Sequence, residues 1–204
     1  MQGDFMEYDI NIRVSNRHVH LTKDTYEMLF DEELTKKYEL NQVGEFASNQ
    51  TLTLRNGDKV IENVRVCGPF RKYNQIELSK RDARTLDMNP PVRRSGDLDG
   101  SLEIILETPK NSIKTKGAII MSRHVHMTKE DALKYGVVNE QIVGIKIDNE
   151  KGGLAMAEIK ISDNGYYEAH FDTEPLAYTS GDDDIYFKYF DVDDKYTYGL
   201  LKEL

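Results

Sequence analysis

Four of the five histidines in the chain fall in two copies of one string. Asn16-Arg17-His18-Val19-His20-Leu21-Thr22-Lys23-Asp24 returns as Ser122-Arg123-His124-Val125-His126-Met127-Thr128-Lys129-Glu130, 106 residues later (124 − 18). In a chain of 204 residues that offset reads as duplication of a domain-sized unit, not as a short solenoid repeat. Two imidazoles at i and i+2 of a strand project to one face. They are a common way to hold a metal ion through neutral nitrogens, zinc first because imidazole suits it and nothing else in the sequence demands a redox metal. A single His-x-His is weak, since hydrogen-bonded structural histidines produce it as well. Its duplication, in a chain with only His170 besides, favours the metal.

The elements that must position these histidines follow from parity and capping. Ile10, Ile12, Val14, Asn16, His18 and His20 share one parity, as do Ala118, Ile120, Ser122, His124 and His126. Each imidazole pair is therefore expected to continue an apolar strand face to the mouth of a core. Both strands run into a helix start, with Thr22 and Thr128 as N-cap hydroxyls and acidic residues in the first turn. Elsewhere the pattern is short strands and turns: Thr51–Leu54, the turn Asn56-Gly57-Asp58, Val60–Val66, Gln75–Leu78, a capped short helix from Ser79, a Pro-rich loop from Asn89 to Gly100, and Ser101–Leu106. The second half repeats this grammar in Gln141–Ile147, Met156–Ile161, the turn Asp163-Asn164-Gly165 and Tyr167–Phe171. Many short strands and few brief helices predict a mainly β protein built of two β-barrels.

Other residues could also do chemistry. Arg71 and Lys72 follow the bend Cys67-Gly68-Pro69-Phe70, where a guanidinium could clamp an anion or stand solvated; Arg93 and Arg94 form a second cationic pair. Glu77, in an alternating strand, reads from spacing as a solvent-facing carboxylate. Cys67 has no neighbouring histidine in sequence and reads as a small buried hydrophobe rather than a nucleophile. Asp182–Asp184 with Asp191, Asp193 and Asp194 lacks calcium-loop spacing and reads as a solvated edge, while Tyr186, Phe187, Tyr189 and Phe190 pack a final strand.

Composition sets the outer bounds. With 39% hydrophobic and 31% charged residues, the chain is too apolar for a disordered tail. Its 36 acidic against 27 basic side chains give a formal charge of −9, which argues against nucleic acid or an anionic membrane as partner but allows a local anion site. One Cys makes neither an internal disulfide nor a thiolate zinc site, and no stretch reads as a signal peptide or spanning helix. A soluble protein of a reducing, cytoplasmic compartment is expected.

Taken together, Ser15–Leu21, Gly68-Pro69-Phe70-Arg71-Lys72, Gln75–Ser79, Pro90-Pro91-Val92-Arg93 with Ser95-Gly96-Asp97-Leu98, Ser122–Met127 and His170–Glu174 resemble the PduL-type phosphate acyltransferases. The match runs in order from about Ile10 to Gly181. The resemblance implies an enzyme that reversibly converts acyl-CoA and phosphate into acyl phosphate and CoA at a site with two zinc ions, with acetyl-CoA or propanoyl-CoA as substrate. It assigns His18, His20 and Glu77 to one zinc, His124, His126 and His170 to the other, and phosphate binding and catalysis to Arg71. It also implies two interdigitated β-barrels with short capping α-helices. The first half, 10–118, is mostly one barrel; the second, 119–192, is joined by the N-terminal strand at about 8–16, and 193–204 form a tail without an assigned role. Glu45 and Gln50 stand where the family more usually shows Gln and Glu.

The expected partners are a coenzyme A thioester and phosphate, without nucleic acid or membrane; a homo-oligomer is allowed. Some members of the family carry an N-terminal amphipathic helix that directs them into bacterial microcompartments. Residues 1–9 hold too few apolar positions for such a stripe, so a freely cytoplasmic enzyme is expected. Two rival readings stand beside this one. A cupin-like metal enzyme would use Glu130 after His124-x-His126, and a zinc-binding module would bind metal without catalysis.

Overall fold

A computed structural model of the chain describes residues 8–147, 154–163, 165–171 and 185–191. The strands are β1 (Tyr8–Val14), β2 (His18–His20), β3 (Lys36–Glu39), β4 (Phe46–Asn56), β5 (Lys59–Gly68), β6 (Gln75–Leu78), β7 (Val92–Arg93), β8 (Leu102–Glu107), β9 (Ser112–Met121), β10 (His124–Met127), β11 (Ile142–Ile147), β12 (Leu154–Ile161), β13 (Glu168–Phe171) and β14 (Ile185–Asp191). Three short helices join them: α1 (Lys23–Leu29), α2 (Lys80–Thr85) and α3 (Lys129–Tyr135). Asn164, Asp172–Glu174, Asp182–Asp184, Asp193, Asp194 and the tail lie outside the described residues, as do 1–7 and the aromatic side chains of β14. Among the described residues no helix is long and apolar enough to cross a membrane.

The chain divides into two compact units, Asn16–Ser122 and Met1–Ser15 with Arg123–Leu204. In the first, the strand order is β3-β4-β5-β2-β6-β9-β7, and β8 pairs with both β4 and β9, so that the sheet curls back on itself. Its longest hairpin, β4–β5, turns at Gly57-Asp58 with Gly57 at φ +58°, and Asn56 pairs with Lys59 across it. Leu52, Leu54, Val64 and Val66 alternate inward from this hairpin and meet Val19, Ile76 and Leu106 in one core.

The other unit is a closed barrel in the order β1-β13-β10-β12-β11-β14. β1 runs parallel to β13, with Ile12 beside Ala169, and antiparallel to β14. The barrel core gathers Ile10, Ile12, Val125, Met127, Ile145 and Phe171, among others. The mainly β architecture expected from the sequence is thus a closed barrel and a curled sheet.

The duplication extends beyond the repeated string. β2 lies between β5, to which it is parallel, and β6, to which it is antiparallel; β10 lies in the same way between β12 and β13. A capped helix follows each: Thr25 N–H donates to the Thr22 hydroxyl at 3.1 Å, and Asp131 N–H donates to the Thr128 hydroxyl at 3.0 Å. Asp131 also returns its carboxylate to the Thr128 N–H, and Ser79 and Asp82 make the same reciprocal box at α2.

One expectation is corrected. The histidines do not continue the face of Ile10 and Ile12, because the chain leaves one unit for the other after Ser15, and again after Ser122. Within β2 the core residue is Val19, and within β10 the core residues are Val125 and Met127. The histidines, of opposite parity, face away from those cores.

The capping hydroxyl that ends each histidine strand can be tested alone. Thr128→Ala is expected to lower stability by about 1 kcal/mol, read as a shifted urea midpoint with an unchanged m-value.

Candidate metal centres and an adjoining guanidinium

In the unit Asn16–Ser122, the antiparallel register of β2 and β6 sets His18 opposite Glu77 and His20 opposite Gln75. Donor atoms of His18, His20 and Glu77 all lie within 4.8 Å of one another. Glu77 is 3% exposed, which corrects the expectation that it faces solvent. β6 is flanked by β2 and β9 and all four of its residues are buried, so it has no solvent face. The His18 Nδ1 lies 2.8 Å from the Asn16 carbonyl. A carbonyl can only accept, so Nδ1 carries a proton, and the other ring nitrogen, Nε2, lies 3.2 Å from Glu77 Oε2. That carboxylate oxygen is buried and has no hydrogen-bond partner among the described residues. Two imidazoles and a buried carboxylate gathered within a few ångströms of one another are a donor set that fits a divalent metal ion.

In the barrel, β10 and β13 set His124 opposite His170 and His126 opposite Glu168. His124, His126 and His170 again offer donors within 4.8 Å of one another, and the Nε2 atoms of His124 and His126 are 3.0 Å apart. Burial, together with the neighbouring His124 and His170, pushes His126 down to about 2. The imidazole is therefore held neutral, the form a metal requires. His170 Nε2 is 2.8 Å from Glu168 Oε1 and 3.0 Å from the Tyr166 hydroxyl, and Arg13 Nε lies 3.3 Å from the same carboxylate oxygen. Tyr166 stacks on His126 with ring centroids 4.7 Å apart. Sequence reading overlooked Glu168, although it stands two residues before His170 and so shares its strand face.

Glu77 and His170 occupy equivalent places, each opposite the first histidine of its pair. They are 93 residues apart (170 − 77) rather than 106, so the repeat does not display the third donor.

Arg71 adjoins the first centre. Its backbone N–H donates to the Leu21 carbonyl at 2.9 Å, one residue beyond β2. Its Nη2 donates to Glu45 Oε1 at 2.9 Å and its Nη1 to the Ser95 hydroxyl at 3.0 Å. Gln75 Nε2 donates to Ser95 Oγ at 2.9 Å and also to Glu77 Oε1, so hydrogen bonds run unbroken from the guanidinium to the candidate ligand. At the end of β5, three residues before Arg71, the packing leaves no room for a side chain: a Cβ on Gly68 would fall 2.2 Å from the Phe46 ring.

The remaining candidates are not among these donor groups. Lys72 is exposed, and Arg93 donates to the carbonyls of Val92 and Asp99. Gln50 is spent on Thr35. Glu130 is exposed in the first turn of α3 and outside the imidazole group, which removes the residue a cupin-like site would need. Cys67 is buried, and burial together with Glu77 and Glu45 pushes its thiol up to about 12. A thiol so disfavoured as thiolate is a poor nucleophile.

Fold and site together define a class: a duplicated β protein in which each unit presents a His-x-His pair and a third donor from the adjacent antiparallel strand. The phosphate propanoyltransferase family profile matches residues 11–178. Curated relatives include the phosphate propanoyltransferase of Thermotoga maritima, 42% identical over 173 residues covering 82% of each chain. That of Lachnoclostridium phytofermentans is 40% identical over 172 residues, 82% of this chain and 80% of the relative. That of Salmonella typhimurium is 38% identical over 169 residues, 81% and 80% respectively. The chain belongs to the phosphate propanoyltransferase family.

The neutral His126 gives the metal-free chain a pH signature. Its folded value of about 2 lies below the ordinary 6.5, so between these values the unfolded chain binds the extra proton. Stability is therefore present above pH 6.5 and falls as pH falls. Between pH 7.5 and 5.5 the chelated protein is expected to lose on the order of 1 kcal/mol from this group alone. Urea titrations of wild type and His126→Gln at both pH values check it, the variant showing the smaller loss.

Proposed function

We propose that the protein is a zinc-dependent phosphate acyltransferase that interconverts a short-chain acyl-CoA, propanoyl-CoA or acetyl-CoA, plus phosphate with acyl phosphate plus CoA. The observation that carries this reading is the hydrogen-bonded chain from Glu77 through Gln75 and Ser95 to Arg71. It ties an anion-binding guanidinium to a group of donors suited to a metal. Membership in the family supports the same reaction.

His18, His20 and Glu77 would hold one zinc ion, and His124, His126 and His170 a second. Bound zinc would supply Lewis-acid stabilisation of the thiolate leaving group and of oxyanion charge. Arg71 neutralises and orients phosphate, with Glu45 and Ser95 fixing the plane of its guanidinium. A phosphate oxygen forms the new bond to the thioester carbonyl carbon, the carbon–sulfur bond breaks, and CoA leaves as thiolate. The burial of Cys67 supports this direct route over a covalent acyl-enzyme.

Release of CoA from acetyl-CoA or propanoyl-CoA that depends on added phosphate tests the reading; metal binding without such release would leave only a zinc-binding module. Arg71→Ala is expected to lower kcat/KM for phosphate by about a hundredfold or more, with zinc content unchanged.

Metal stoichiometry is a separate measurement. Elemental analysis is expected to give about two zinc ions per chain. His18→Ala and His124→Ala should each remove about one of them, and a wild-type value near zero would sink the metal assignment.

A further inference from the structure

We propose that Glu45 makes the anion site selective for phosphate over sulfate, an inference that rests on the reading of Arg71 given above. The guanidinium gives Nη2 to Glu45 Oε1 at 2.9 Å and Nη1 to the Ser95 hydroxyl at 3.0 Å. Those are its recorded side-chain hydrogen bonds among the described residues, and further N–H groups remain on the same planar fork. An anion held by the donors that remain therefore lies within a few ångströms of the Glu45 carboxylate. The recorded side-chain bonds of that carboxylate, from Arg71 and from Gln42 Nε2 at 3.3 Å, both end on Oε1. Its other oxygen, Oε2, is an acceptor with no recorded donor among the described residues.

The carboxylate is fixed where it stands. Glu45 N–H donates to the Gln42 carbonyl at 3.0 Å and the Glu45 carbonyl receives the Leu40 N–H at 3.0 Å, so both backbone groups are tied. Phe46, the next residue, opens β4 in register with Gly68. Side-chain exposure is 19% for Arg71 and 20% for Glu45, so water screens the pair only in part. A carboxylate beside a bound oxyanion repels it unless a proton lies between them. Phosphate near neutral pH keeps at least one hydroxyl, which donates to Glu45 while its bare oxygens face Arg71. Sulfate has the same shape but is fully ionised and has no proton to give. The same carboxylate thus accepts one tetrahedral anion and rejects the other, by an unpaired charge and not by size.

The test is competition on the metal-loaded enzyme. Its readout is the inhibition constant for sulfate against phosphate, divided by KM for phosphate, with zinc content measured alongside. For the wild type this ratio is expected to be about ten or more; sulfate that competes as tightly as phosphate binds overturns the proposal. Glu45→Gln keeps the shape and puts an N–H donor in place of the charge. It is expected to lower the ratio by about tenfold or more, with zinc content unchanged. A carboxylate that only held Arg71 would shift both constants together and leave the ratio as it was, which overturns the proposal. So does a fall in the ratio that accompanies loss of zinc, which would place the effect at the metal. A large Arg71→Ala effect on KM for phosphate beside an unchanged Glu45→Gln ratio overturns this inference alone. An Arg71→Ala protein with unchanged phosphate dependence sinks the underlying reading and this inference with it. Should Glu45→Gln not fold, Glu45→Ala removes the same charge and is read the same way, and the wild-type ratio still decides.

Discussion

Strand register is the constraint on which both centres depend. In an antiparallel pair, a slip of one residue sends every side chain to the other face. His18 meets Glu77, and His124 meets His170, only because the apolar residues between them are anchored. Val19 pairs with Ile76, and Val125 with Ala169, all four fully buried on the opposite faces. Burying a side chain such as Val or Ile is worth about 1.5–3 kcal/mol, so a slip that expelled these residues would cost several such amounts. Core packing thereby sets the polar geometry from behind.

The two centres share a plan but differ in chemistry at the matching positions. Beside the candidate ligand Glu77 stands Gln75, whose amide donates to the carboxylate. Beside His170, at the matching register position, stands Glu168, whose carboxylate is placed to accept from the imidazole. An anionic ligand is supported by a donor and a basic ring by an acceptor, so each supporter suits the ligand it holds.

Much of this was legible in the sequence, and the gaps have physical reasons. The duplicated string, the capped helices and the Gly57 turn are local signals, and each is found where residue type and spacing put it. The parity argument failed because it ran across Ser15 and Ser122, where the chain changes units and the inward face is set afresh. Glu77 looked solvated because alternation describes a strand with one wet face, whereas β6 is flanked on both edges and buried throughout. The bonds joining Glu45, Arg71, Ser95 and Gln75 link residues 20 to 26 positions apart, and no periodicity encodes them.

The pairing of β1 with β13 has a consequence for the ribosome. The unit Asn16–Ser122 is continuous in sequence, so all its strands are available once that stretch has emerged. The barrel needs Ile12 beside Ala169, a contact spanning 157 residues (169 − 12), and cannot close until nearly all of the intervening chain has been made. Nascent β1 must therefore wait as an unpaired apolar strand while the other unit forms, at a synthesis rate of about 5–20 residues per second. Its alternating charged residues, Asp9 and Arg13, lie on the face opposite Ile10 and Ile12 and offer some protection against premature edge pairing during those seconds.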